Sequence, residues 1–276
     1  MNHGNRALTL DEVRSMAPSA FAMVPHGSRS ERYQYVSTVE LMNAMLGEGF
    51  HPFLAKQSRV RDLSKREFTK HLLRFRPLDY AGLKVQDVFP EVVLVNSHDG
   101  TSAYVLTLGL FRLVCSNGAV VSEGTFESVH IRHQGDVVRQ VVEASHKALQ
   151  AAPATLDTVA RWQTIDLTPN EQGVFAAAAH TLRFGDSEGK TDTPIQPAQL
   201  LAPRRYDDKK PDLWHTFNRV QENVIRGGLS AVGRNAEGRR RMVRTREVKG
   251  IDQDMKLNRA LWQLAERMAE LKSASA

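Results

Sequence analysis

Only one cysteine, Cys115, occurs among the 276 residues, which excludes an internal disulfide and any zinc site assembled from several thiolates. No apolar run approaches the roughly 18 to 20 residues that a membrane-spanning helix needs, and the opening MNHGNRALTLDEVRS lacks the apolar stretch of a secretory signal. These absences set the expectation of a cytoplasmic protein in a reducing compartment, with no membrane partner. Catalytic signatures are equally scarce. The run 185–191 (GDSEGKT) is one residue short of a phosphate-binding loop and carries two acids where phosphates would sit. His98-Asp99 lies in a turn-like stretch with no second histidine-rich element, and no HExxH motif is present. His130 and His133, three apart on a strand, point to opposite faces and cannot share a metal. Asp207, Asp208, Lys209 and Lys210 carry the residue types of a nuclease set, but they precede a helix cap instead of lying on paired strands. Cys115 with His98 or His130 as base would make a cysteine nucleophile, although a lone cysteine ending a strand is more often a small buried apolar residue. No catalytic residue, metal ligand or cofactor is therefore assigned.

What the chain does have is positive charge in two places. The formal net charge is +6. Within residues 51–80, Lys56, Arg59, Arg61, Lys65, Arg66, Lys70, Arg74 and Arg76 stand against Asp62, Glu67 and Asp79, a local net of +5. Within 234–249, Arg234, Arg239, Arg240, Arg241, Arg244, Arg246 and Lys249 stand against Glu237 and Glu247, again +5, so the remainder of the chain is slightly acidic. Concentrated cations on an acidic background suit a polyanion, because each phosphate neutralised releases condensed counterions. The arginine content fits bidentate phosphate contacts. The bland alternative is a pair of solvated basic faces. Phe50, Phe53, Phe68, Phe75 and Tyr80 interleave with the first run, and a ring left exposed there could stack on the bases of a single strand. Trp162, Trp214 and Trp262 fall at helical positions and read as packing anchors.

Periodicity gives the organisation. Residues 1–30 read as an N-terminal arm with one short helix near 10–16. Ser37 and Glu40 have capping-box spacing, and Val39, Met42, Met45 and Leu46 recur at helical intervals, which predicts a helix over 38–47. The basic segment that follows reads as a loop or short hairpin leading to a strand over 71–76. Runs 91–96 (EVVLVN) and 103–115 (AYVLTLGLFRLVC), joined by Ser97, His98, Asp99 and Gly100, predict an antiparallel pair. Asn117-Gly118 turns the chain towards a third strand over 126–133. A helix over 136–150 follows, then a second stretch opened by Pro153 and running to Trp162. Thr168, Pro169 and Glu171 start a helix that reaches about residue 184. Residues 185–211 show no period and read as a mobile loop. Asp212 caps a helix bearing Leu213, Phe217, Val220 and Val224 and ended by Gly227-Gly228. The arginine-rich connector comes next, and a last helix over 252–272 carries a seam of Leu257, Leu261, Leu264, Met268 and Leu271 that can pack internally or against another subunit. The fold class expected is α+β, a small antiparallel sheet with a β-β-β-α core flanked by helices and followed by a helical C-terminal region. The divisions are 1–30, 31–150, 151–211 and 212–276.

The runs GFHPFLAKQSRVRD, KHLLRFR, VLVNSHDGTSAYVLTLGLFRLVCSNG, LWHTFNRVQENVIRGGL and IDQDMKLNRALWQLAERMA resemble the prophage and plasmid family known as domain of unknown function 932, over residues 31–270. That resemblance implies a phage or plasmid setting and assigns no residue a role. The architecture alone, a helix before three antiparallel strands and a helix after them, resembles the Rad52-like single-strand annealing proteins, and this is analogy at the level of fold.

The expected function is nucleic-acid binding, with single-stranded DNA as partner, in recombination, annealing or replication, by a homo-oligomer. The residues assigned to phosphate contact are Lys56, Arg59, Arg61, Lys65 and Arg66 with Arg239, Arg240, Arg241, Arg244 and Arg246, while Arg74, Arg76, His130 and Arg132 extend the surface across the sheet. Two competing readings are a nuclease or cysteine hydrolase in defence or counter-defence, and a module that binds a host protein.

Overall fold

Strands buried on both faces build one antiparallel sheet in the N-terminal part of the chain. The computed structural model describes residues 6–27, 35–78, 88–112, 118–120, 128–131, 135–185, 188–190, 192–234 and 237–274. It divides into two units, residues 1–156 and 157–276, each with its own core.

In the first unit the elements are α1 (Leu10–Met16), a 3-10 turn (Pro18–Phe21), α2 (Thr38–Gly47), β1 (Phe50–Gln57), β2 (His71–Pro77), β3 (Val88–Asn96), β4 (Tyr104–Arg112), β5 (Gly118–Val120) and β6 (Val129–Ile131), followed by α3 (Val137–Trp162), in which the division between the units falls. The strand order is β1-β2-β3-β4-β5, with β6 also on β4. β5 pairs with Gly109 to Phe111 and β6 with Tyr104 to Leu106, so the two short strands share one edge of β4. The α+β expectation holds. β2, β3 and β4 are buried on both faces, which is why they read as nearly continuous apolar runs.

Three local readings are amended. The basic segment, read as a loop or short hairpin, is a hairpin whose first strand, β1, begins at Phe50 and pairs antiparallel with β2. β1 is the outer strand of the sheet, and its register shifts between Pro52 and Leu54, where a residue without an N–H donor is tolerated. The N-terminal arm is packed: Leu8 N donates to Pro52 O at 2.7 Å, and Val13, Ala17 and Ala20 are fully buried. α3 runs unbroken through Pro153 instead of ending near residue 150.

One face of the sheet carries a buried polar cluster under the start of α2. Thr38 Oγ1 lies 3.1 Å from His71 Nε2, 3.1 Å from His98 Nε2 and 3.4 Å from the Tyr104 hydroxyl, and accepts from Asn96 Nδ2 at 3.2 Å. His71 Nδ1 faces Thr69 O at 3.2 Å and Ser19 Oγ at 3.1 Å. Burial pushes the His71 imidazole down to about 3, with His98 adding to the effect. A neutral His71 that donates from Nδ1 to the Thr69 carbonyl leaves Nε2 bare to accept from Thr38, and His98 Nε2–H then donates to Thr38. His98, read chiefly as a turn residue and also weighed as a base for Cys115, belongs to this cluster; Asp99 takes the turn role by accepting from Thr101 N at 3.0 Å.

The second unit is helical apart from one ribbon. It holds α4 (Pro169–Phe184), 3-10 turns at Pro197–Leu201 and Asp207–Lys209, α5 (Leu213–Arg226), the hairpin β7 (Ser230–Arg234) and β8 (Arg240–Arg244), and α6 (Ile251–Ala274). Thr168 and Glu171 close the expected capping box on α4. Asp212 caps α5 by accepting from His215 N at 3.0 Å, an arrangement worth about 1 kcal/mol. Trp162, Trp214, Phe217 and Trp262 form one aromatic cluster, the Trp162 and Trp262 rings 4.5 Å apart. The seam of α6 faces inward at Leu257, Leu261 and Met268 and outward at Leu271.

α5 is buried on every side from Leu213 to Ile225, polar residues included. Such burial requires partners. Gln221 Nε2 donates to Asn258 Oδ1 at 2.7 Å, Asn223 Nδ2 to the Leu200 and Ala202 carbonyls at 2.9 Å each, and Arg219 Nη2 to Gln172 Oε1 at 3.0 Å. Residues 192–209, expected to be a mobile loop, supply part of this wrapping: His180 Nε2 bonds the Ile195 carbonyl at 2.7 Å, and Leu200 and Asp208 are fully buried. Among the described residues no helix is long and apolar enough to cross a membrane.

Candidate nucleic-acid interface

The second basic run folds into the β7–β8 ribbon. After α5, Gly227 adopts φ +62, and a Cβ there would stand 2.7 Å from the Arg246 carbonyl carbon and oxygen, so only glycine lets the two ends of the ribbon approach this closely. Gly228 N donates to Thr245 O at 2.9 Å and Thr245 N to Leu229 O at 2.8 Å, closing the base. Arg183 Nη2 holds the Arg246 carbonyl at 3.1 Å. At the turn end, Arg234 Nη1 donates to Gly238 O at 3.0 Å.

Register decides what each face presents. Ser230 pairs with Arg244, Val232 with Met242 and Arg234 with Arg240. All six side chains are exposed. One face of the ribbon is thus a ladder of cation, apolar pair, cation, in which Val232 is 59% and Met242 64% exposed. The opposite face, with Ala231, Gly233 and Val243, is more covered; a Cβ on Gly233 would stand 3.1 Å from the Pro194 ring. Arg239, Arg241 and Arg246 are exposed as well. Arg239 at the turn, Arg240, Arg241 and Arg244 on β8, and Arg246 two residues beyond it are thus carried by one hairpin and the segment that leaves it.

The first run lies in the other unit and is divided by its structure. Arg59, Arg61 and Arg66 are exposed on the connection between β1 and β2, with Lys65 half-buried in a 3-10 turn capped by Asp62. Lys56 is half-buried on β1 opposite Leu72. His130 is exposed on β6 opposite Val105. Arg132, Cys115, His133 and Tyr80 lie outside the described residues.

Arg74 and Arg76 do not extend an exposed surface, and that assignment is corrected. Both are buried on β2, where Arg74 Nε is 3.1 Å from Glu91 Oε2 and Arg76 Nη2 is 2.7 Å from Glu91 Oε1. Their guanidinium carbons sit over aromatic rings: Arg74 over Phe111 at 4.5 Å, and Arg76 over Phe53 at 4.2 Å and Phe89 at 4.4 Å. These rings and the carboxylate of an adjacent strand neutralise what spacing alone presents as a basic stripe. Phe50, Phe53 and Phe75 are buried too, and Phe68 is half-buried against the His26 ring at 5.3 Å.

Sequence reasoning missed Tyr206. It precedes the 3-10 turn at Asp207–Lys209, is 81% exposed, and has Lys209 Nζ 4.7 Å from its ring centroid. Its flanks, Arg204-Arg205 and Lys209-Lys210, were a usable signal, obscured by Asp207 and Asp208. Asp208 is not available for metal chemistry at an exposed nuclease site, being fully buried with Arg205 Nη1 at 3.2 Å. Among the described residues no group of three or more histidine, cysteine, aspartate or glutamate side chains could hold a metal ion.

Two proteins of Escherichia coli strain K12 are similar to this chain: UPF0380 protein YafZ and UPF0380 protein YfjQ, each 46% identical over 264 residues, spanning 96% of this chain and 92% of the relative. No solved structure matches. The sequence pattern of the family described as Domain of unknown function (DUF932) matches residues 25–262, and with most of the chain covered by that match, the protein belongs to the DUF932 family.

Proposed function

We propose that this chain binds nucleic acid through the β7–β8 ribbon, as a binding protein and not through a catalytic centre of its own. The observation that carries the reading is the exposed ladder of Arg234/Arg240, Val232/Met242 and Arg244 on a two-stranded ribbon. A cationic ribbon of this kind meets phosphates with its arginines and offers an apolar centre to base edges or faces, the way two-stranded ribbons serve in known nucleic-acid readers. The exposed Arg59, Arg61 and Arg66 of the β1–β2 connection supply a second set of phosphate contacts. Participation in DNA recombination or annealing, as an oligomer encoded by a mobile element, is the biological setting that fits this chemistry.

The test is fluorescence anisotropy with labelled oligonucleotides across a salt series, without metal or nucleotide. Binding at low salt that weakens steeply with added salt is the expected result. No binding at low salt would refute the reading.

A further inference from the structure

We infer that the nucleic acid is bound as a single strand, with one base seated on the ring of Tyr206; this rests on the nucleic-acid reading above and names both the ligand form and a residue that recognises it. A tyrosine 81% exposed gains almost nothing from burial, yet the residues beside it are bonded to the buried helix. Arg205, immediately before it, holds Glu222 through two bonds of 2.7 and 2.6 Å and Asp208 at 3.2 Å. Arg204, one residue further back, donates to Asn223 Oδ1 at 2.8 Å and to the Gly227 carbonyl. Lys209 N closes the turn on the Tyr206 carbonyl at 3.1 Å. The two arginines before it reach inward to α5, Asp208 after it is buried against Arg205, and the ring between them is left outward.

The loop that carries the ring also reaches the base of the ribbon, through Arg204 on Gly227. A Cβ on Gly228 would stand 3.8 Å from Arg244 Nη2 and 3.9 Å from Arg204 Nη2, so both guanidinium groups flank the same glycine at the base of the hairpin. Arg244 belongs to the exposed ladder, and Tyr206 is two residues from Arg204, at most about 7 Å along the backbone. Arg244 and Arg204 beside Gly228, and the Tyr206 ring with Lys209 two residues and more along the same loop, are thus carried by neighbouring segments of the chain. An exposed π-face among cations that track a backbone is the arrangement that binds single strands, because every unpaired base has a face to stack while a duplex hides its bases in its own stack. The position of Lys209 over the ring leaves a cation beside a seated base for the following phosphate.

The experiment compares wild type, Tyr206→Ala and Tyr206→Phe on matched single-stranded and duplex oligonucleotides at fixed salt, with circular dichroism to confirm that the exposed substitutions leave the fold intact. Y206A is expected to lose about tenfold to a hundredfold in single-strand affinity, Y206F to retain it, and duplex binding to change less than threefold. A Y206A protein with unchanged single-strand affinity, or one that loses single-strand and duplex binding alike, overturns the stacking role while leaving the ribbon's role standing. Absence of any nucleic-acid binding by wild type at low salt overturns both.

Discussion

Arg205 and Glu222 form a two-bond ion pair, at 2.7 and 2.6 Å, between an otherwise irregular loop and a helix buried on every side. Glu222 is 1% exposed and also receives Arg226 at 2.7 Å, so one carboxylate ties the Tyr206 loop to the end of α5 from which the ribbon departs. Removing one partner of such a pair strands a buried charge and costs about 3 to 5 kcal/mol. Glu222→Gln is expected to lower the unfolding free energy by that order, measured by urea denaturation. A change below about 1 kcal/mol would show that the pair is not what anchors the loop.

A second buried ion cluster yields a different expectation. Glu91 neutralises both Arg74 and Arg76 inside the sheet. Glu91→Gln leaves two guanidinium groups with no formal countercharge from that strand, and a loss of about 3 kcal/mol or more is expected in chemical denaturation. Because these arginines are buried, the same substitution, tested under conditions where the variant remains folded, should leave nucleic-acid affinity within about twofold of wild type. A specific loss of affinity in a folded E91Q protein would return Arg74 and Arg76 to the interface.

The polar cluster beneath α2 gives a pH dependence. His71 titrates at about 3 in the folded chain because it is buried, against about 6.5 when unfolded. Between those values the unfolded chain binds the extra proton, so stability falls as pH drops from about 6.5 towards 3, with a slope approaching about 1.4 kcal/mol per pH unit from this one group. His71→Asn should flatten the decline between pH 6.5 and 4 in urea midpoints measured along a pH series. An unaltered slope in the variant would assign acid sensitivity to other groups.

How much of this was legible in the sequence follows from where the determining partner lies. α2 was readable to the residue because Ser37, Glu40 and the apolar period are all local. β3 and β4 were readable because both of their faces are buried and their runs are apolar. β1 was hidden by Pro52 and by its polar residues, which its outer position in the sheet and the register shift accommodate. Pro153 read as a helix boundary, since an interior proline costs about 3 kcal/mol, yet Ala148, Ala152, Leu156 and Val159 are buried on either side of it and hold the helix together. β7 and β8 escaped notice because charged residues occupy both faces of the ribbon, so no period of two survives in hydropathy. For the candidate site, composition singled out the second basic run, whose arginines lie exposed on one hairpin and just beyond it. Arg74 and Arg76 were misassigned because their partner Glu91 comes from the next strand, 15 residues or more along the chain, and Tyr206 was passed over because only the fold shows which ring is left outside.

The claim on which the account depends most is that the ribbon's arginines meet phosphates, and the salt dependence of an Arg239→Ala, Arg240→Ala, Arg241→Ala triple variant tests it most directly. All three side chains are exposed, so the unfolding free energy should stay within about 0.5 kcal/mol of wild type for each substitution. The account predicts weaker binding to a single-stranded oligonucleotide and a plot of log affinity against log salt that is shallower by about 0.7 for each phosphate contact removed. A folded triple variant whose affinity and salt slope match those of wild type would contradict it.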